Sequence, residues 1–203
     1  MMAVAQRGTN TGSSESPTSA ARVIILDRDG VINEDSDEYI KSPQEWIPIP
    51  GSLEAIARLH RAGWRVVVAT NQSGVARGLF DIDTLMRIHE KMHRAVEEAG
   101  GRIEAVFFCP HGPDDACQCR KPRPGLLREI AARLRIDLKG VPVVGDSLRD
   151  LQAAQAVGAK PILVRSGKGL RTLATLGETV PCSVHADLSA VADALIATDP
   201  QSN

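Results

Sequence analysis

Several residues able to do chemistry stand where short apolar runs end. Asp27, Arg28, Asp29 and Gly30 follow RVIIL, and Thr70-Asn71-Gln72-Ser73-Gly74 follows WRVVVA. Arg120-Lys121 leaves a Cys/His-rich loop, and VGDSLRD sets Asp146 and Asp150 four residues apart. Together these groups suit phosphoryl transfer. Asp27 can attack phosphorus to form an acyl-phosphate, dividing one difficult displacement into two easier ones. Asp29, two residues on, can protonate the leaving oxygen and then activate water. Carboxylates repel a phosphate, so a hard cation belongs among Asp27, Asp29 and Asp146, and Mg2+ is the natural choice. Thr70 and the amides after it can donate to phosphoryl oxygens, while Lys121 adds positive charge in the transition state.

Each motif also has a plain reading. Asp-x-Asp-Gly suits a tight turn, GDSLRD suits a loop entering a helix capped by Asp146 or Ser147, and Lys121 can be a solvated charge. The common placement of four complementary motifs at strand ends favours the chemical reading over each of these.

The loop CPHGPDDACQCRKPRPG, residues 109–125, carries a second constellation. Cys109-x-His111 and Cys117-x-Cys119 offer four soft or borderline ligands, enough for a closed, structural tetrahedral zinc site. A redox dithiol is the rival, although C-x-C is not the C-x-x-C motif. Three structural cysteines beside an unrelated histidine form the third possibility. Cys182 lies far along the chain and reads as a small core residue. His60, His89, His93 and His185 read as structural, as do Trp46 and Trp64.

The elements that must position these groups are legible as an alternation. Runs at 22–27, 64–70, 103–109, 141–146 and 161–165 are continuously apolar, which predicts buried parallel strands rather than half-exposed ones. Helical patterns lie near 51–62, 82–99, 124–136 and 147–158, with Gly63, Gly100 and Gly158 where C-caps are expected. A last strand and helix are expected near 182–198. This order predicts a doubly wound, mainly parallel α/β fold with right-handed crossovers. Ligands in such sheets bind beyond the carboxyl ends of the strands, where the reactive residues stand.

The chain has 203 residues, 43% of them hydrophobic, and a net charge of −1. That size and balance fit one domain over 22–199 containing the 109–119 Cys/His loop, with no basic face for nucleic acid. No apolar run reaches the length needed to cross a bilayer. Residues 1–21 lack an apolar signal core and are rich in Ser, Thr and Gly, so a disordered tail and a cytoplasmic, monomeric protein are expected.

The motifs LDRDGVIN, TNQSGVARG, CPHGPDDACQCRKPRPG and VGDSLRDLQAA, taken together, resemble the haloacid dehalogenase superfamily of phosphatases. Within it they resemble the D-glycero-D-manno-heptose 1,7-bisphosphate 7-phosphatase family. The resemblance runs from residue 22 to beyond 155. It implies Asp27 as nucleophile, Asp29 as general acid/base, and Mg2+ held by the Asp27 carboxylate, the Asp29 backbone carbonyl and Asp146. It further implies that Thr70 and Lys121 steady the transferring phosphoryl group and that Arg120 recognises substrate. Asp35, Asn71, Gln72 and Ser73 would line the pocket. A zinc in the Cys/His loop would hold Arg120 and Lys121 ready for the phosphate. The implied substrate is a small sugar bisphosphate, in the making of activated heptose for lipopolysaccharide. Val31 departs from the Thr that many relatives carry after Asp-Gly. There is no room for a separate cap domain in the chain's short connections. Histidinol-phosphate phosphatase is the alternative enzyme, and a catalytically silent, zinc-stabilised binding module is the alternative of another class.

Overall fold

The computed structural model describes residues 22–177 and 180–198, so the tail expected over 1–21 lies outside the described residues. Six parallel strands form one sheet in the order β3-β2-β1-β4-β5-β6. They are β1 (Val23–Leu26), β2 (Arg65–Asn71), β3 (Ile103–Cys109), β4 (Pro142–Gly145), β5 (Lys160–Val164) and β6 (Ser183–His185). The connecting helices are α1 (Ser52–Arg61), α2 (Ile82–Glu98), α3 (Gly125–Leu134), α4 (Leu148–Gln155), α5 (Gly169–Leu176) and α6 (Leu188–Ala197).

The continuous apolar strands have the physical cause expected of them: both faces are covered. Ile24, Leu26, Val66, Val68, Val144 and Val164 point into one core, built with Ile56 and Leu59 of α1, Ile88 and Met92 of α2, and Val191 of α6. The alternate residues Val23, Ile25, Val67, Ala69 and Val143 meet Leu127 and Ile130 of α3 and Ala153 and Ala154 of α4 on the other side. Each fully buried aliphatic side chain contributes roughly 1.5–3 kcal/mol, so the two-layer cover is the main holding force. Trp46 is buried, and Trp64 packs against the same core, as expected of packing residues.

The strand order reverses between β1 and β4, whose neighbours lead outward in opposite directions. At this switch point the connections part and leave a crevice at the carboxyl ends. One element went unread in the sequence. Helix α5 begins at a glycine and carries Thr172 and Thr175, residues with weak helix propensity, so its pattern is faint.

Candidate active site

The ends of β1, β2 and β4 and the start of the segment after the Cys/His loop meet in one pocket, lined among others by Asp27, Asp29, Thr70, Arg120, Lys121 and Asp146. Asp27 is held at both oxygens. Its Oδ1 accepts from the Arg28 backbone N–H at 2.7 Å, and Oδ2 lies 3.1 Å from Lys121 Nζ. Lys121 is buried, and its ammonium also donates to the Ala69 carbonyl at 2.8 Å and meets Asp150 Oδ1 at 2.5 Å. Burial alone would lower the Lys121 pKa, but Asp150 and Asp27 outweigh it and raise it. The lysine therefore stays charged.

Asp150 is the residue that sequence reasoning saw and left without a role. Its second oxygen accepts from the Ser147 N–H at 3.0 Å and the Ser147 hydroxyl at 2.5 Å. Ser147 is the N-cap of α4, so the plain capping reading of GDSLRD holds beside the chemical one. The close approach requires Gly145 at the end of β4, because a Cβ there would stand 2.2 Å from the Asp150 Cβ. Gly30 serves similarly at the end of β1. Its φ is 80°, and a Cβ would lie 2.0 Å from Asp146 Oδ2.

Asp27, Asp146 and Asp150 bring carboxylate oxygens within 4.8 Å of one another. Burial raises the Asp27 pKa well above the carboxylate range, reinforced by Asp150, Asp146 and Asp29 and opposed by Lys121. Burial and then Asp150 push Asp146 up to about 7. One ammonium does not balance three clustered carboxylates, and a hard divalent cation supplies the missing positive charge. The donor set fits Mg2+.

Asp29 stands differently. Its carboxylate is turned into the protein, where Arg28 Nη2 donates to both oxygens at 2.8 and 3.0 Å and Nε donates at 3.0 Å. The amides of Asn33 and Gln72 each add a bond at 2.9 Å. Burial works to raise its pKa, but Arg28 and these bonds prevail and lower it. Asp29 is thus set up as a carboxylate, the proton-accepting form. Arg28, named among the strand-end residues but given no role there, is completely buried and is the main partner of Asp29. Val31 is buried in the core, so bracing of Asp29 falls to Arg28, Asn33 and Gln72.

The remaining pocket residues divide by commitment. Thr70 Oγ1 accepts from Gln72 Nε2 at 2.9 Å, which leaves its own hydroxyl proton to donate elsewhere. Asn71 exchanges two bonds with the Lys121 backbone, at 3.0 and 3.1 Å, and so fixes the segment that carries the lysine. Gln72 is committed to Asp29 and Thr70, while Ser73 lines the pocket. Asp35 lies at the pocket rim in an ion pair with Lys168 at 2.7 Å.

The Cys/His loop gathers its four expected ligands. Sulfur–sulfur separations are 3.8 Å for Cys109–Cys117 and 3.1 Å for Cys109–Cys119. His111 Nδ1 lies 3.5 and 3.3 Å from the sulfurs of Cys109 and Cys119. These exceed a disulfide bond and approach the edge of about 3.8 Å that a tetrahedron of 2.3 Å zinc–sulfur bonds implies. Burial, with Cys119 close by, pushes the Cys109 thiol up to about 12, and a soft cation would relieve that cost. The donor set fits zinc. Beside it, Arg120 Nη1 donates to the His111 carbonyl at 3.2 Å, so the loop's fold reaches the pocket arginine directly. His89, read as structural, is buried behind the site, 3.4 Å from Arg28 Nη1.

Comparison with known proteins agrees with this geometry. A family model described as HAD-hydrolase-like matches residues 118–191. The chain is 61% identical over 175 residues to a D-glycero-β-D-manno-heptose-1,7-bisphosphate 7-phosphatase of Bordetella bronchiseptica, covering 86% of this chain and 98% of that one. It is 55% identical over 176 residues to the enzyme of the same name from Pseudomonas aeruginosa, covering 86% and 97%. A crystal structure of the B. bronchiseptica phosphatase complexed with magnesium and phosphate superposes with a TM-score of 0.85 at 60% identity, over 88% of this chain and 99% of that one. Near-complete coverage at this identity leaves no ambiguity: the chain belongs to the D-glycero-β-D-manno-heptose-1,7-bisphosphate 7-phosphatase family, within the haloacid dehalogenase-like hydrolases.

Proposed function

We propose that residues 22–199 form one phosphatase domain that hydrolyses the 7-phosphate of D-glycero-β-D-manno-heptose 1,7-bisphosphate. The observation that carries the chemistry is the fixed Asp27–Lys121–Asp150 array beside Asp146, at the sheet's switch point. The substrate follows from relatives of that name that match across nearly their whole length.

Asp27 is oriented for attack, because one oxygen is tied to the Arg28 N–H and the other faces Lys121 and the pocket. Lys121 and the free hydroxyl proton of Thr70 draw phosphoryl oxygens toward that carboxylate and stabilise the charge that spreads over them. Attack by Asp27 forms an aspartyl-phosphate as the sugar oxygen leaves. Asp29, held as a carboxylate, takes a proton from the water that cleaves this intermediate. The proton gained there is the one Asp29 gives to the leaving oxygen in the next turnover, so the group passes between carboxylate and acid across the two half-reactions. Asp27, Asp146 and the Asp29 carbonyl would hold Mg2+, the ion of the related magnesium and phosphate complex. When bound, that ion offsets the clustered negative charge and polarises the phosphoryl oxygens. The Cys109, His111, Cys117 and Cys119 set would hold zinc as a staple, keeping Arg120 and Lys121 in place before substrate arrives.

The reading is tested by phosphate release with Mg2+ from generic phosphate esters, comparing wild type with Asp27→Asn. Release by wild type and none by the variant is expected. Equal release by both would remove Asp27 from the mechanism.

A further inference from the structure

The turn after β5 is not part of any motif named above, yet it touches both halves of the pocket. Thr172 Oγ1 donates to the Asp146 carbonyl and Ser166 Oγ donates to the Gly30 carbonyl, each at 2.7 Å. The Lys168 backbone N–H donates to Asp146 Oδ2 at 2.8 Å. The Lys168 side chain then reaches outward, with Nζ 2.7 Å from Asp35 Oδ2 and 3.3 Å from Asp37 Oδ1. Arg171, one turn along, lies 3.6 Å from Asp37 Oδ2. The loop that bears these aspartates is fastened at its far end as well. Tyr39 sits at φ 68°, a conformation costly for an aromatic residue, with Arg77 5.9 Å from its ring.

Asp35, Ser36, Asp37, Tyr39 and Lys168 all line the same pocket as Asp27. Two carboxylates at the rim of a site that must admit a sugar with two phosphates are an electrostatic obstacle. Lys168 answers it in place. Its ammonium, joined by Arg171 at Asp37, offsets the charge of the Asp35–Asp37 pair, and the second Asp35 oxygen, which accepts from the Ser36 N–H at 2.8 Å, keeps a lone pair for a sugar hydroxyl.

We infer that Lys168 is a positioning residue for substrate selection: it fastens the Asp35–Asp37 loop against the turn that holds Asp146 and masks the loop's charge from the phosphate that is not being cleaved. The inference rests on the bisphosphate reading above. A small ester with a single phosphate and no sugar hydroxyls has less to gain from the loop. The signature of Lys168 is therefore in the ratio of kcat/KM for heptose 1,7-bisphosphate to that for p-nitrophenyl phosphate.

The test measures this ratio for wild type, Lys168→Met, Lys168→Arg, Asp35→Asn and the double variant Asp35→Asn/Lys168→Met, with Tm recorded for each. In Lys168→Met the ratio falls about fivefold, the size of a partly exposed ion pair, and the loss is mainly in KM. Lys168→Arg recovers most of it. The double variant is no worse than Asp35→Asn alone, because the lysine acts through that carboxylate. An unaltered ratio in Lys168→Met, an equal loss on both substrates with a lowered Tm, or full additivity in the double variant would each overturn the inference. Wild type without heptose bisphosphate turnover would sink the functional reading and this inference with it. Wild-type preference retained in Lys168→Met would sink the inference alone.

Discussion

At the scale of single residues, charge is placed by partners rather than by exposure. Asp27 is a carboxylate that burial and its acidic neighbours disfavour, kept in position by Lys121. Replacing it by Asn removes the proposed nucleophile without removing a net stabilising charge. Asp27→Asn is expected to lose turnover by more than about a thousandfold while its Tm stays at or above that of wild type. Arg28 is the opposite case. Arg28→Met leaves the Asp29 carboxylate without its main partner and is expected to cost about 3 kcal/mol in denaturant unfolding. His89 gives a pH dependence with a definite sign. Burial, then the Arg28 guanidinium, pushes it down to about 3 from an ordinary 6.5. The unfolded chain thus binds a proton near 6.5 that the folded chain refuses until about 3. Its effect is stability fully present above 6.5 and progressively lost as pH falls toward 3. His89→Gln is expected to flatten that part of the stability profile, measured by urea unfolding between pH 7 and 5. An unchanged slope would refute the assignment.

At the scale of elements, the loops do the arranging and the strands supply the floor. The Cys/His loop ends at Cys119, and Arg120 bonds back to the His111 carbonyl, so loop and pocket share one backbone. Asn71, at the end of β2, ties the next residue, Lys121, by two backbone bonds. Cys117→Ser is expected to lower Tm and kcat/KM together, with zinc content falling below one per chain by metal analysis, because metal binding is part of folding energy. Wild-type melting with full zinc content would contradict this. The elements also show what a linear sequence can carry. Continuous apolar strands, the Gly63, Gly100 and Gly158 helix ends at φ 81°, 81° and 70°, and the C-x-H and C-x-C pairs are local patterns and were legible. The Lys121–Asp150 and Lys168–Asp35 pairs join residues far apart in the chain and leave no periodic trace. Asn71 and Gln72 were legible as pocket residues. Their commitments to Lys121, Asp29 and Thr70 emerge only when the strand ends converge.

At the scale of the molecule, the doubly wound sheet dictates where chemistry can happen. Both faces of the sheet are covered by helices, and the crevice at the β1/β4 reversal gathers the reactive side chains. No described helix is long and apolar enough to cross a membrane. The Cys/His loop, the 35–39 loop and the turn after β5 shape the pocket through short segments, the last two joined by the Lys168–Asp35 ion pair. The roles proposed for Asp27 and its neighbours account for cleavage of a phosphate ester but not for the choice among esters. The proposed selection of a sugar bisphosphate rests on Arg120, Asp35 and the segments that hold them. The most direct measurement is kcat/KM with Mg2+ for both anomers of heptose 1,7-bisphosphate and for histidinol phosphate. A preference of at least about a hundredfold for a heptose bisphosphate is expected, the scale set by buried polar recognition. A preference for histidinol phosphate would contradict the substrate assignment while leaving the Asp27 chemistry in place.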